Sequence, residues 1–314
     1  MVIKINFVDF PFDFDPEKNY FLKLLESKYK LELSDSPEIL FYGNYGQKHL
    51  KYNCLKIFYS SENVRPDYRF CDFSLSFDYS VLPKNCRLPL FILHGNLEDL
   101  TRKVDLGLLK KGKTEFCNFV YSNEKGTERN EFFRLLNEYK KIDSPGKVFN
   151  NMPTGVVGER YDYITKKKFL SKYKFTIAFE NESYPGYTTE KIFHPMQVGS
   201  IPVYFGNPRI GEDFNSKSFI NVHDFPSFQK AVDFIIEVDR NDELYHGILK
   251  QPYFLNDQVP YEFSEDFFKT ALYNIVENRN KIKPVSQKFI GKYSKIKLDL
   301  LFRLDKLKGN IRKL

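Results

Sequence analysis

The residues best suited to chemistry crowd between 179 and 206, where the chain reads FENESYPGYTTEK over 179–191 and GSIPVYFG over 199–206. An apolar strand ends at Glu180 and Asn181, and Pro185 with Gly186 turns the backbone. A helix is then predicted over Thr188–Gln197. The first turn of such a helix offers free amides and the positive end of a dipole to an anion. Lys191 adds a point charge suited to a diphosphate, and Glu190 can accept hydrogen bonds from sugar or ribose hydroxyls. An ordinary strand–turn–helix with a capping Thr and a solvated Glu–Lys pair has the same local pattern, so these residues mark a candidate anion site and no more.

Other motifs carry less. Residues 107–114 match the P-loop expression GxxxxGK(S/T) letter for letter. That mechanism needs a strand before the loop and a helix after it. Here a charged stretch precedes and the strand-like Phe116–Tyr121 follows, so a basic interdomain linker is the better reading. Asp13 and Asp15 can in principle hold a divalent ion against a diphosphate, but helix capping by Asp15 explains them more simply. The five histidines lack metal-ligand spacing with one another or with cysteine, and no GxSxG elbow or GxGxxG run is present.

The elements that must position these residues alternate. Val2–Val8 is predicted as a strand, followed by a helix from Asp15 and Pro16 to about Lys30 with Phe21, Leu22, Leu24 and Leu25 facing inward. Strands are expected at Glu38–Tyr42, Leu55–Ser60 and Phe73–Phe77. Past a charged stretch, 97–113, come a strand at Phe116–Tyr121, a helix from Glu128 to Tyr139, a strand at Phe175–Phe179, a strand at Ile201–Phe205 and a helix over Ser227–Val238. Two consecutive α/β halves predict two facing Rossmann-like domains, residues 1–111 and 112–280, with ligands in the crevice at the strand carboxyl ends.

The 314 residues carry a net charge of +7. Residues 281–314 hold 11 Lys/Arg against 2 Asp/Glu, a net of +9, which leaves 1–280 at −2. A near-neutral body argues against nucleic acid as a partner. The tail needs its own account. Its apolar residues at 293, 296, 300, 304, 307, 311 and 314 fall on one helical face among lysines and arginines, the pattern of a basic amphipathic helix that either binds an anionic surface or docks on the body. The four cysteines, Cys54, Cys71, Cys86 and Cys117, read as reduced and mostly buried thiols of a cytoplasmic protein. The first residues are too short and interrupted for a signal peptide, and no stretch of about 18 apolar residues is present. Aromatic content is 17% without a single Trp, from 32 Phe and 21 Tyr.

The pattern FENxxxxxYxTEK followed by GxxPVxxG resembles the signature of the α1,3/4-fucosyltransferase family, which shares the GT-B architecture. The resemblance continues through Gly206, Asn207 and Pro208 into DFNSKSFINVHDF at 213–225, close to bacterial members. Upstream, FCNFVYSN at 116–123 with Arg129 and Asn130 resembles the opening of the family's donor domain, and FYSSENVRPD at 58–67 its N-domain GEN segment. The match runs in order over about 55–265. Ser61 replaces the usual glycine, Thr188 replaces a branched aliphatic residue, and His194–Pro195 interrupts the helix, where proline is expected to kink it.

The resemblance implies inverting transfer of L-fucose from GDP-fucose to a GlcNAc-containing, N-acetyllactosamine-like oligosaccharide of a lipopolysaccharide or other surface glycan, α1,3 or α1,4 linked as in Lewis antigens. Carried over position by position, Glu62 is the catalytic base, Arg129 and Lys191 hold the pyrophosphate, and Asn181, Tyr187 and Glu190 line the nucleotide-sugar pocket. Should Glu62 fail as base, Glu180 is the next carboxylate in line. No metal is essential on this reading, and a divalent ion such as Mn2+ is at most a stimulant. A GT-B transferase with another donor sugar would share the phosphate residues and differ in the pocket that reads the sugar. Residues 284–314 are expected on the inner face of an anionic membrane, since bacterial members often end in basic amphipathic tails.

Overall fold

A computed structural model describes residues 2–79, 83–101, 113–159, 162–298 and Leu300. The chain forms two compact units, Met1–Leu88 together with Tyr261–Leu314, and Pro89–Pro260. The expected boundary at 111/112 lies outside the described residues, whereas the division at 88/89 assigns 89–101 to the second unit. The expected break at 280/281 is replaced by a return of the chain to the first unit from Tyr261 onward.

The first unit holds β1 (Val2–Val8), α1 (Tyr20–Glu26), β2 (Lys30–Leu33), β3 (Ile39–Tyr42), β4 (Leu55–Tyr59), β5 (Phe73–Ser76) and β6 (Asn85–Arg87). The strands pair in the order β2-β1-β3-β4-β5-β6, and each pairing is parallel. Every residue of β3 and β4 is buried, as expected where both faces of a parallel sheet are covered. The helix α1 is shorter than predicted. Its cap is Asn19, whose side chain accepts from the Leu22 amide, while Asp15 caps only the turn before it by accepting from Glu17 and Lys18. Lys30, the expected end of that helix, instead opens the edge strand Lys30–Leu33, a strand not expected from the sequence. Phe21, Leu22, Leu24 and Leu25 are buried as predicted.

Here the phenylalanine excess has a structural role. The Phe41 ring stacks on Phe7 from one side, centroids 5.1 Å apart, and on Phe21 from the other at 5.2 Å. The helix Glu265–Asn278 joins α1 through the Ser27 and Tyr273 hydroxyls at 2.6 Å and the Lys28–Glu277 ion pair.

Part of the basic tail is built into this unit. The Val285 amide donates to the Asp72 carboxylate at 2.7 Å, and Val285 is buried. Residues 289–298 are helical, with Gly291 and Ser294 buried and Phe289, Ile290, Tyr293 and Ile296 exposed. A Cβ on Gly291 would sit 2.1 Å from the Val285 carbonyl oxygen, so only glycine permits this approach. The helix thus docks by its small residues and turns its apolar stripe outward. The stripe positions 304, 307, 311 and 314 lie outside the described residues.

The second unit contains β7 (Glu115–Asn118), α2 (Thr127–Tyr139), α3 (Tyr163–Leu170), β8 (Tyr173–Phe179), α4 (Glu190–Gln197), β9 (Ile201–Phe205), β10 (Ile220–Asn221), α5 (Phe228–Arg240) and α6 (Asp242–Leu249). Its parallel sheet runs β10-β9-β8-β7. Phe132 of α2 meets Phe179 of β8 and Phe228 of α5 at ring distances of 4.9 and 5.6 Å, which closes one face of the sheet.

Phe41→Ala should cost about 3–5 kcal/mol, because it removes a fully buried ring stacked on both Phe7 and Phe21. Urea unfolding monitored by circular dichroism checks this, and a midpoint unchanged from wild type would contradict the assigned core.

Candidate active site

The second unit gathers its polar groups where its strands end. β8 runs out into Glu180, whose amide donates to the Phe205 carbonyl at 2.7 Å and so ties the end of β8 to that of β9. Gly206 follows, and a Cβ there would meet Glu180 Cγ at 2.4 Å. The glycine lets the Glu180 side chain turn inward, away from water. Its carboxylate then accepts from the Thr189 amide at 2.7 Å, the Thr189 hydroxyl at 2.7 Å and the Lys191 ammonium at 3.2 Å. Thr189 is the N-cap of α4, extended at φ −114° and ψ −169°, so the helix begins at Glu190. Pro195 lies within α4, which ends two residues later at Gln197.

Thr188 explains its own departure from the aliphatic pattern. It is fully buried, and its hydroxyl donates to Asp213 at 3.1 Å while accepting from the Asn207 side chain at 3.1 Å. Asn207 also accepts from the Gly186 amide at 2.8 Å. The loop from Gly186 to Thr189 is therefore held by side chains that follow β9. Gly186 itself takes φ +90°, a conformation that favours glycine.

Lys191 occupies the centre, with its side chain 19% exposed. Burial acts to lower its pKa, but the Glu180 and Glu190 carboxylates, the latter 3.8 Å away, more than offset it and raise it above the ordinary lysine value. Glu190 is shifted the other way. Burial disfavours its charge, yet Lys191, His94 and Lys166 together hold it well below the usual carboxylate range. Burial raises Glu180, and Lys191 opposes that.

Arg129 enters from the first turn of α2 and is 1% exposed. Its guanidinium donates to Asn181 Oδ1 at 2.9 Å and to the Asn123 carbonyl, and lies 4.6 Å from the Tyr121 ring centroid. Its buried Nε has no hydrogen-bond partner among the described residues. Tyr121 and Tyr187 interact electrostatically with both Arg129 and Lys191. The structure thus brings together Arg129, Asn181, Tyr187, Glu190 and Lys191, each predicted from sequence.

The sequence gives no sign of the neighbours. Lys166 and His94 both act on Glu190. His94, Tyr163 and His194 pack ring against ring at 5.1–5.6 Å. Burial, reinforced by Lys166, drives His194 down to about 3, so it is a neutral ring. Glu180 was open to view in the motif beside Asn181, but only as a reserve base. Its burial was not, and with both oxygens engaged it is an anchor and not a reserve base.

Glu62 lies in the first unit, three residues past β4, and is exposed. Its amide donates to Ser60 Oγ at 3.0 Å, and the Tyr45 hydroxyl donates to its carboxylate at 3.3 Å. Arg65 is engaged by Asp78 and Asn63.

The P-loop match falls mostly outside the described residues, but its end is visible. β7, not a helix, follows Thr114. Lys113 donates to the carbonyls of Ser171 and Val198 at 2.8 and 2.7 Å, the C-caps of α3 and α4, and burial lowers it to about 7. It is a helix-end clasp, not a phosphate ligand or a solvated linker lysine.

Two family models match this chain, the α1,3-fucosyltransferase N-terminal domain over residues 5–94 and the C-terminal domain of glycosyltransferase family 10 (fucosyltransferase) over 109–255. The chain belongs to this fucosyltransferase family. It is 31% identical over 300 residues to an α-(1,3)-fucosyltransferase of Helicobacter pylori, covering 80% of this chain and 61% of the relative. It therefore spans less than two thirds of that relative's length. A crystal structure of an α1,3-fucosyltransferase superposes with a TM-score of 0.74 at 27% identity, over 88% of this chain and 90% of the other. A structure of an α1,3-fucosyltransferase with GDP-fucose gives 0.71 at 26% identity, over 88% and 90% of the two chains. The fold of the family member described here is GT-B.

The low value of Glu190 predicts a pH signature. It stays ionised in the folded chain where an unfolded glutamate protonates, near about 4.3. Its stabilisation is thus present above that pH and lost as pH falls toward the folded value, by up to about 1.4 kcal/mol per pH unit. Between pH 5 and 3 wild type should lose thermal stability more steeply than Glu190→Gln. Parallel curves would show that the carboxylate is not held by its cationic neighbours.

Proposed function

We propose that this fucosyltransferase-family protein transfers L-fucose from GDP-fucose, with inversion, to a hydroxyl of a GlcNAc-containing glycan. The observation that carries the reading is the half-buried Lys191 at the start of α4, which shares Tyr121 and Tyr187 as neighbours with Arg129, at the carboxyl end of a parallel sheet. The relative crystallised with GDP-fucose supports the donor, and the α1,3-fucosyltransferase relatives support a sugar acceptor.

In the proposed step the acceptor oxygen attacks the anomeric carbon of fucose as the bond from that carbon to the β-phosphate oxygen breaks. The hydroxyl proton passes to Glu62, and GDP departs with the bonding pair. General-base help of this kind is worth about 10²–10⁴ in rate. Charge growing on the leaving diphosphate meets Arg129, Lys191 and the amides at the start of α4, so stabilisation acts where charge develops. Asn181 and Tyr187 line the nucleotide-sugar pocket, and Glu190 accepts from a ribose or sugar hydroxyl. These residues complete the step without a metal; a divalent ion such as Mn2+ would act only as a stimulant of diphosphate departure. The acceptor is an N-acetyllactosamine-like oligosaccharide, linked at the GlcNAc 3-hydroxyl.

Residues 284–314 would hold the enzyme to the inner face of an anionic membrane, close to lipid-linked glycan. The outward stripe of Phe289, Ile290, Tyr293 and Ile296 supports this. No helix among the described residues is long and apolar enough to cross a membrane.

Lys191→Ala should weaken GDP binding at least tenfold by calorimetry, through loss of a charge-assisted contact. Glu62→Gln should keep GDP affinity and lose about 10²–10⁴ in transfer to N-acetyllactosamine. Unchanged GDP affinity in the first variant, or turnover within a fewfold of wild type in the second, would overturn the corresponding role. For the tail, replacing Phe289, Tyr293 and Ile296 by Ser should abolish sedimentation with anionic vesicles while transfer to the soluble disaccharide persists. Continued sedimentation would remove the stripe from the membrane reading.

A further inference from the structure

β4 reads Leu55, Lys56, Ile57, Phe58, Tyr59, and all five residues are buried. Lys56 is 3% exposed. Its backbone amide donates to Asp72 at 3.0 Å, but its ammonium has no hydrogen bond or ion pair among the described residues. Holding an unpaired lysine side chain largely out of water is unfavourable, and the usual remedy is a partner anion. No described residue supplies one at contact distance.

The Lys56 side chain lines a cavity of about 330 Å³ between the body of the first unit and the helix 289–298. Lys51, Arg69, Lys292 and Lys295 line it too, and no Asp or Glu does. Arg69 is neutralised by a two-pronged pair with Asp67. The four lysines have no ion-pair partner among the described residues. Tyr52 and Phe70 supply aromatic wall, and Asn53 and Ser286 supply polar groups. A neighbouring cavity of about 440 Å³ contains Asp67 and Asp72 beside its cations, so it lacks this single-signed lining.

We propose that this cavity is a binding site for a phosphate group, carried by a phosphorylated sugar, a lipid headgroup or free phosphate, with Lys56 as its buried ligand. Lys51, Lys292 and Lys295 close around the anion from the rim, and the rings of Tyr52 and Phe70 suit the face of an attached sugar or headgroup. Burial lowers the Lys56 ammonium and Lys295 pushes the same way, while Cys54, Asp72 and Cys71 oppose them, so the folded chain favours an arriving anion. Asp72 sets the geometry by accepting from Lys56 and Val285 together, which fastens the helix-bearing segment over the cavity. All of these residues belong to the first unit, so the site is independent of the donor reading.

The test uses the full chain and inorganic phosphate as probe, followed by thermal shift and calorimetry. Wild type should bind and be stabilised by phosphate. Lys56→Met should melt no lower than wild type without phosphate, since it removes an unpaired buried charge, and should bind phosphate at least tenfold more weakly. Lys292→Gln/Lys295→Gln, altered only at exposed positions, should also weaken binding. Lys191→Ala should respond to phosphate as wild type does, which separates this site from the donor site. Flotation with phosphatidic acid vesicles against phosphatidylcholine then distinguishes the sources: binding lost in Lys56→Met identifies a lipid headgroup, and vesicle binding unaffected by that change identifies a soluble phosphate compound. Wild type indifferent to phosphate, or a response equal in wild type, Lys56→Met and the double variant, would overturn the proposal.

Discussion

The second unit is organised around one buried carboxylate. Glu180 ends β8, is bonded through its amide to the end of β9, caps the loop through Thr189, and faces the Lys191 ammonium. A fully buried carboxylate with one oxygen unpaired would be costly. Here both oxygens are engaged, so the cost of desolvation is offset by three donors that all belong to the start of α4. The same contacts fix where the helix begins and where Lys191 points. Sheet, loop and cation are thereby one rigid assembly, and Gly206 is the concession that lets the side chain fold inward.

Parallel sheets place their chain reversals at the carboxyl ends of strands, and both units obey that rule. Glu62 follows β4 in one. In the other, Asn123 with Arg129 follows β7, Glu180 with Asn181 follows β8, and Gly206 with Asn207 follows β9. Within the second unit these strand ends thus deliver their polar groups to one edge of its own sheet. The loops are then braced laterally instead of being left to their own turn propensities: Asn207 and Asp213 reach back to Thr188, and Asn181 reaches across to Arg129. This is why the Thr at 188 fits a place where an aliphatic residue would fill volume but brace nothing.

Much of this was legible because local pattern and tertiary demand agreed. The strands Val2–Val8 and Ile201–Phe205 were read to the residue; Lys191 and Glu190 stood out by type and place after the turn, and Arg129 only through the family resemblance. The misreadings share a cause. The first helix was carried on to Lys30, where the parallel partner Val2–Ile5 already makes the chain a strand. Lys113 looks like a loop cation until two helix ends converge on it. The tail's apolar stripe was plain, but the docking face consists of Gly291 and Ser294, and small residues leave no periodic hydrophobic signal. Lys166 and His94 lie far from the motif in sequence and join it only through packing.

The buried cations show how the chain tells one anion from another. Arg129 is satisfied by an amide oxygen, a carbonyl and an aromatic face, and Lys113 by two carbonyls. Lys191 is satisfied by carboxylates, and Lys56 has no such partner among the described residues. An anion approaching Lys191 must also approach Glu180 and Glu190, which repel a bare phosphate. On the proposed reading a nucleotide sugar would compensate, because its hydroxyls would donate to Glu190 while its two phosphates would be shared between Lys191 and Arg129. The carboxylates beside Lys191 therefore select a ligand that brings donors along with its charge. A pocket lined by lysines without acids makes no such demand, so phosphate alone suffices there. On this argument the two sites differ less in how much positive charge they hold than in whether negative charge stands beside it.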